Sequence, residues 1–214
     1  MKEIILEVPL LKQPDGSQHC AVASMRMLMA YNGENLSHEE IIKHFPEINK
    51  TRIGITPATA RFLVENGYNV NYFSHQDFLL DDHSEEKTEK DLKFFQDKAE
   101  TLESGSNVRL QLEQIIKLIE VGGKFSTRLL TLNNINDYLE DRKPVRVGIK
   151  PSILLSDQKY KFNHAVVIAG MRGDEYLIND PSPKSKEPYW VKKEKLLEAW
   201  SANGFTLLVV EKKR

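Results

Sequence analysis

Cysteine is almost missing from this chain, with one residue among 214. A lone cysteine forms no internal disulfide and cannot build a Cys-rich zinc site. An excess of charge is missing too. Lys plus Arg total 30 and Asp plus Glu total 31, for a formal net charge of -1. A nucleic-acid binder would show a basic excess or basic clusters, so no nucleic-acid partner is expected. No run approaches the ~20 apolar residues of a membrane helix, so no membrane insertion is expected. The segment MKEIILEVPLLKQ has acidic residues inside its apolar run and no small-residue cleavage site, unlike a secretory signal. Together these absences predict a reducing, cytoplasmic setting.

What is present suffices for a core, because 40% of the residues are apolar. At roughly 150 residues per domain the length gives about one and a half. The reading is a single domain over 1–214 with a helical insertion over 76–123. Ile4 to Leu11 reads as an extended arm or edge strand, demoted from a central strand by Pro9. KQPDGSQ is turn chemistry. Cys20 to Tyr31 has helical spacing at Val22, Met25, Leu28 and Met29, with Gly33 suited to a left-handed cap. The methionines at 25, 27 and 29 are expected in the core.

Ser37 to Phe45 is a second helix, with Ser37 and Glu40 as a capping box. Thr56 to Asn66 is a third, with Pro57 in its first turn. Tyr68 to Phe73 alternates like a strand. The charged stretch from Gln76 contains two helical patterns whose Leu92, Phe95, Leu112, Ile115 and Ile119 need burial. Asn136 to Glu140 is a short helix before Pro144. VRVGI, HAVVIAG, EYLIND and FTLLVVE are strand-like, and Lys193 to Trp200 is a last helix. Helices first and strands last predict an α+β fold with a largely antiparallel sheet.

Cys20 carries the chemical interest. It opens a helix directly after a tight turn. Unpaired N–H groups and the partial positive charge of a helix start favour a thiolate over a thiol. Acyl transfer by a thiolate needs a proton carrier, and histidine suits that near neutral pH. Of the six histidines, His19 is adjacent to Cys20 and does not face it along a helix. His38, His44, His75 and His83 sit in polar, helical or loop contexts. His164 opens the apolar strand HAVVIAG, where a scaffold can fix its ring. Asp180 ends the next strand-like run. A hairpin turning over Met171 to Asp174 returns it to the level of His164. Asn179 ranks second as the orienting group, because strand alternation places it on the opposite face from Asp180.

CAVASMRMLMAYNG, TLNNINDYLEDRKPVRVGI and NHAVVIAGMRGDEYLINDPS together resemble the papain-like, bacteriocin-processing peptidases that cleave double-glycine leaders, and their stand-alone relatives. The interval from His164 to Asp180, 16 residues, matches that family. The resemblance spans about Val8 to Gly33, Gly54 to Phe73 and Thr131 to Trp200, and leaves 76–123 unexplained. It implies a papain-like fold and a Cys20-His164-Asp180 triad. It also implies an upstream glutamine that donates to the oxyanion. The usual offset falls on Pro14, which leaves Gln13, one residue further back, as the favoured donor and Gln18 as the alternative. Ala21 and His19 stand where relatives usually have glycine and often an acid.

The expected protein is a cysteine peptidase cleaving a peptide bond through a thioester on Cys20. No metal or cofactor is expected, and a protein partner at the helical insertion is a weaker expectation. Two other classes remain open: an acyltransferase using the same triad, and a non-catalytic peptide-binding module of the same fold.

Overall fold

The computed structural model describes residues 3–45, 55–80, 86–155 and 162–213. Its helices are α1 (Cys20–Tyr31), α2 (His38–Ile42), α3 (Ile55–Glu65), α4 (Leu92–Glu100), α5 (Asn107–Glu120), α6 (Leu132–Glu140), α7 (Pro151–Leu154) and α8 (Lys193–Ser201). Its strands are β1 (Glu3–Ile5), β2 (Tyr68–Phe73), β3 (Lys124–Ser126), β4 (Val145–Ile149), β5 (His164–Arg172), β6 (Glu175–Asn179), β7 (Tyr189–Lys192) and β8 (Leu207–Lys212). The sheet runs β3-β2-β8-β4-β5-β6-β7, with β1 beside the far end of β5. All its pairs are antiparallel except β2 with β3. The expected mixed architecture with a largely antiparallel sheet is present.

β2 falls on the strand expected over Tyr68 to Phe73, whereas β3 and β7 were not expected. β3 and β7 are three and four residues long. Neither is long enough to show a period-2 pattern in sequence.

Local chemistry explains the helices. The spacing of α1 matches its sequence, and the chain leaves it through Gly33 at φ 83°, a conformation that costs glycine nothing. Met25, Met27, Leu28 and Met29 are all at most 1% exposed, so α1 is buried nearly all round and the methionines are core. Ser37 and Glu40 form the reciprocal capping box of α2, which stops at Ile42 rather than Phe45. The 76–123 segment is not a separate body. Phe95, Leu112, Ile115 and Leu118 join the main hydrophobic cluster, and α5 packs on α3.

The register between β5 and β6 decides how the chemistry-bearing residues face. From the turn, Arg172, Met171 and Gly170 pair with Glu175, Tyr176 and Leu177. The register then shifts between Ile168 and Gly170, so that Ile168 pairs with Ile178 and Val167 with Asn179. Ala169 is therefore an extra, bulged residue. Continuing by one residue sets Asp180 beside Val166, on the same face as His164. Without the bulge Asp180 would lie beside Val167, on the opposite face. The N-terminal arm holds this irregularity, because Leu6 N–H donates to the Ala169 carbonyl at 2.8 Å. β1 crosses so close to Gly170 that a Cβ there would collide with the Ile4 carbonyl oxygen.

Gly170→Val is accordingly expected to lower stability by about 1–3 kcal/mol, the usual range for forced overpacking. Urea unfolding measures it. A variant as stable as the parent would show that the arm moves aside freely.

Candidate active site

Cys20 is the first residue of α1, and His19 before it supplies no side-chain cap to the helix start. The thiol is close enough to the His164 ring and to the main chain of Ala165 for both to lower its pKa. His164 is the first residue of β5, and its Nε2 lies 2.7 Å from Asp180 Oδ1. With Nε2 engaged by the acid, Nδ1 is the nitrogen left for the sulfur. Asp180 directly follows β6. Its Oδ1 also accepts the Ser182 N–H at 2.8 Å, and its Oδ2 accepts the Tyr189 hydroxyl at 3.1 Å. Three separated parts of the sequence thus come together at one place.

Asn179 takes no part in that chain. Its side chain donates to the Val8 carbonyl at 2.8 Å, on the other face of the sheet, and so helps fasten the N-terminal arm. His19 also turns elsewhere. Its Nδ1 lies 2.9 Å from His38 Nε2 and the two rings stack, which ties the start of α1 to α2.

Opposing influences act on the ionisable groups. Burial pushes the Cys20 thiol up, but the His164 hydrogen bond and charge, the Ala165 N–H and the charge of Arg146 outweigh it. The thiol therefore sits below its ordinary value. Burial pulls His164 down, and the Asp180 and Cys20 hydrogen bonds and charges outweigh this, raising it to about 10. Burial raises Asp180, but His164, Ser182 and Tyr189 hold its carboxyl below the usual range. These shifts favour a thiolate beside an imidazolium that is held by a carboxylate.

The sequence reading missed Arg146. It is 1% exposed, on β4. Its guanidinium donates to Thr59 Oγ1 at 2.9 Å and to Thr56 Oγ1 at 2.8 Å. Among the described residues no carboxylate pairs with it. Burial draws it down to about 10, while negative charge on Cys20 and Tyr72 favours its charged form. A buried cation without a carboxylate is costly, and the sulfur is the anion it faces. The signal was available as an arginine between two valines in an otherwise apolar strand. Tyr189 was missed because the residues leading to it read as turn.

Gln13 and Gln18 both line the cleft beside Cys20. The Gln13 main-chain N–H donates to the Pro181 carbonyl at 2.9 Å, which fixes it next to Asp180. One proton of its Nε2 goes to the Ser17 carbonyl at 2.6 Å, and the second stays available. Pro14, Asp15 and Gly16 form an exposed bend between glutamine and cysteine, the longer loop that the extra residue requires. The cleft holds about 410 Å³, within the range of ligand pockets. Among the described residues no His, Cys, Asp or Glu cluster could hold a metal ion, and no helix is long and apolar enough to cross a membrane.

A family model described as the Peptidase_C39 like family matches residues 5–208. The chain belongs to that family. The matched span includes the 76–123 segment that the sequence resemblance left unexplained. No curated protein matches the chain. Among solved structures it is similar to a Bacillus anthracis protein described as a C39-like peptidase, at 15% identity and TM-score 0.52, covering 100% of this chain and 99% of that one. That likeness shows the C39-like peptidase fold. A double glycine motif protease from an AMS/PCAT transporter, solved with its leader peptide, has 15% identity, coverage of 100% and 99%, and a TM-score of 0.48. The peptidase domain of Streptococcus ComA, a bifunctional ABC transporter of a quorum sensing pathway, has 13% identity, coverage of 97% and 100%, and the same TM-score of 0.48.

Within this C39-like chain, replacing Arg146 by Met is expected to move the midpoint of Cys20 alkylation to higher pH, because a fixed positive charge is lost. Arg146→Lys should shift it less. Iodoacetamide rates measured across pH give both midpoints, and an unchanged midpoint in the Met variant would remove Arg146 from the electrostatics of the site.

Proposed function

We propose that this protein is a papain-like cysteine peptidase, hydrolysing a peptide bond through a thioester on Cys20. The observation that carries the reading is the His164 ring, 2.7 Å from Asp180 and near enough to Cys20 to lower the thiol's pKa. Membership of a peptidase family supports it.

The reaction follows from the side chains. The Cys20 sulfur attacks the carbonyl carbon of the scissile bond, and the oxygen gains negative charge. The Cys20 main-chain N–H at the helix start and the free Gln13 Nε2 proton are the donors for that oxygen. The imidazolium of His164 then gives its proton to the leaving nitrogen, the C–N bond breaks, and an acyl thioester remains. The neutral ring next takes a proton from water, hydroxide adds to the thioester, and the thiolate leaves as the product acid forms. Asp180 holds the ring in one orientation throughout, and Tyr189 and Ser182 hold Asp180.

Mass spectrometry of peptide mixtures incubated with the protein tests this directly, by detecting new chain ends. Cys20→Ala and His164→Ala are expected to abolish cleavage, and Gln13→Ala to slow it by roughly 10²–10³, as for loss of one oxyanion donor. Cleavage that survives Cys20→Ala would overturn the mechanism. An amine-dependent acyl product would convert the reading to a transferase.

The pH dependence has a definite sign. Because the thiol is depressed and His164 is raised to about 10, the reactive ion pair exists between the two values. Iodoacetamide labelling of Cys20 should already be fast well below pH 8, and His164→Ala should abolish that acid-side reactivity. Labelling that is indifferent to His164 would favour a peptide-binding module instead.

A further inference from the structure

One wall of the cleft has chemistry that the triad does not use. Asn203 follows α8 and lines the cleft, yet is only 8% exposed. The turn it occupies is satisfied without its side chain. Its main-chain N–H donates to the Trp200 carbonyl at 3.0 Å, and its own carbonyl accepts the Thr206 hydroxyl at 3.2 Å. The side-chain Oδ1 is buried with no hydrogen-bond partner. A buried acceptor left unpaired is unfavourable unless something else satisfies it.

Its position relates it to the sulfur. Asn203 Nδ2 lies against Gly148, where any Cβ would collide with it. Gly148 pairs across the ladder with Ala165, whose main chain lies close enough to Cys20 to lower its pKa. The Asn203 amide is thus one strand away from the residue that touches the nucleophile. Gln76 packs against Gly204, the next residue after Asn203. Gln76 and Gln111, both half-buried, line the same cleft from the segment 76–123. No Asp, Glu, Lys or Arg is among the described residues that line it.

We propose that Asn203, with Gln76 and Gln111, forms a subsite for a carboxamide side chain, glutamine or asparagine, of the peptide substrate close to the scissile bond. The proposal rests on the peptidase reading and names its substrate class. Oδ1 requires a donor, and Gln76 and Gln111 add amide N–H donors to the same cleft. A planar carboxamide supplies a donor and an acceptor from one group. An aliphatic side chain would leave Oδ1 unsatisfied. Gly148 is glycine because the Asn203 amide occupies the space above it.

Binding to the Cys20→Ala protein tests this without requiring turnover. Fluorescein-labelled alanine-based hexapeptides, each with one position changed to Gln, Asn, Leu, Met, Ser or Glu, are titrated by fluorescence anisotropy. At one position Gln or Asn should bind about tenfold tighter than Leu or Met, the scale of one or two hydrogen bonds. The preference should fall to near unity in the Asn203→Leu protein. Gln111→Leu, on a different element, should weaken the same preference and serves if the first variant does not fold, as judged by circular dichroism. Equal or tighter binding of Leu, Met, Ser or Glu peptides, or a carboxamide preference that survives both variants, would overturn the subsite. A carboxamide preference in a protein whose Cys20 proves unreactive would instead overturn the peptidase reading alone.

Discussion

An extra residue in β5 is the constraint on which the site depends. Two strands joined by the tight turn at Gly173 would, in unbroken register, send His164 and Asp180 to opposite faces of the sheet. Ala169 moves the register by one, and the carboxylate arrives on the face of the ring. The Ala169 carbonyl faces the N-terminal arm. The N-terminal arm meets it through Leu6, and passes over Gly170 so closely that only a hydrogen fits there. The arm is fastened a second time by Asn179, the neighbour of Asp180 that the bulge turned to the other face. The same arm continues to Gln13, whose main chain is bonded just past Asp180. One irregularity thus sets the acid, and the segment that stabilises it carries the oxyanion candidate.

On that frame the electrostatics are arranged around a single anion. The thiol is buried, which by itself would keep it protonated. Three influences oppose this, and they come from two neighbouring strands: the His164 ring and the Ala165 N–H from β5, and the Arg146 guanidinium from β4. Arg146 has only hydroxyl partners among the described residues, from Thr56 and Thr59 on α3. Its charge is therefore not cancelled locally by a carboxylate. Asp180, by contrast, is surrounded by donors and stays ionised, so its charge is spent on the imidazolium. Asp180, His164, Cys20 and Arg146 thus alternate in the sign of charge that their surroundings favour.

Much of this was legible in sequence, and what was not has physical reasons. α1 was readable to the residue because a capable helix former follows a turn and precedes a left-handed glycine. The capping box marked α2 for the same kind of reason. The pairing of His164 with Asp180 followed from hairpin length. The bulge that makes it work was invisible, since Ala169 lies inside a continuous apolar run and nothing local marks it. β3 and β7 were too short for a period to show. Arg146 was passed over because a charged residue in a strand reads first as an outward-facing position. Asn203, Gln76 and Gln111 come from three distant segments whose convergence only the fold reveals.

The ionisation of His164 tests the account at its centre. Nitrogen NMR of the labelled imidazole at pH 7 reports whether both ring nitrogens carry protons. A doubly protonated ring in the native protein, losing part of its elevated pKa in Cys20→Ala and more in Asp180→Ala, is the predicted result. A neutral ring that titrates near the ordinary histidine value, indifferent to both substitutions, would contradict it.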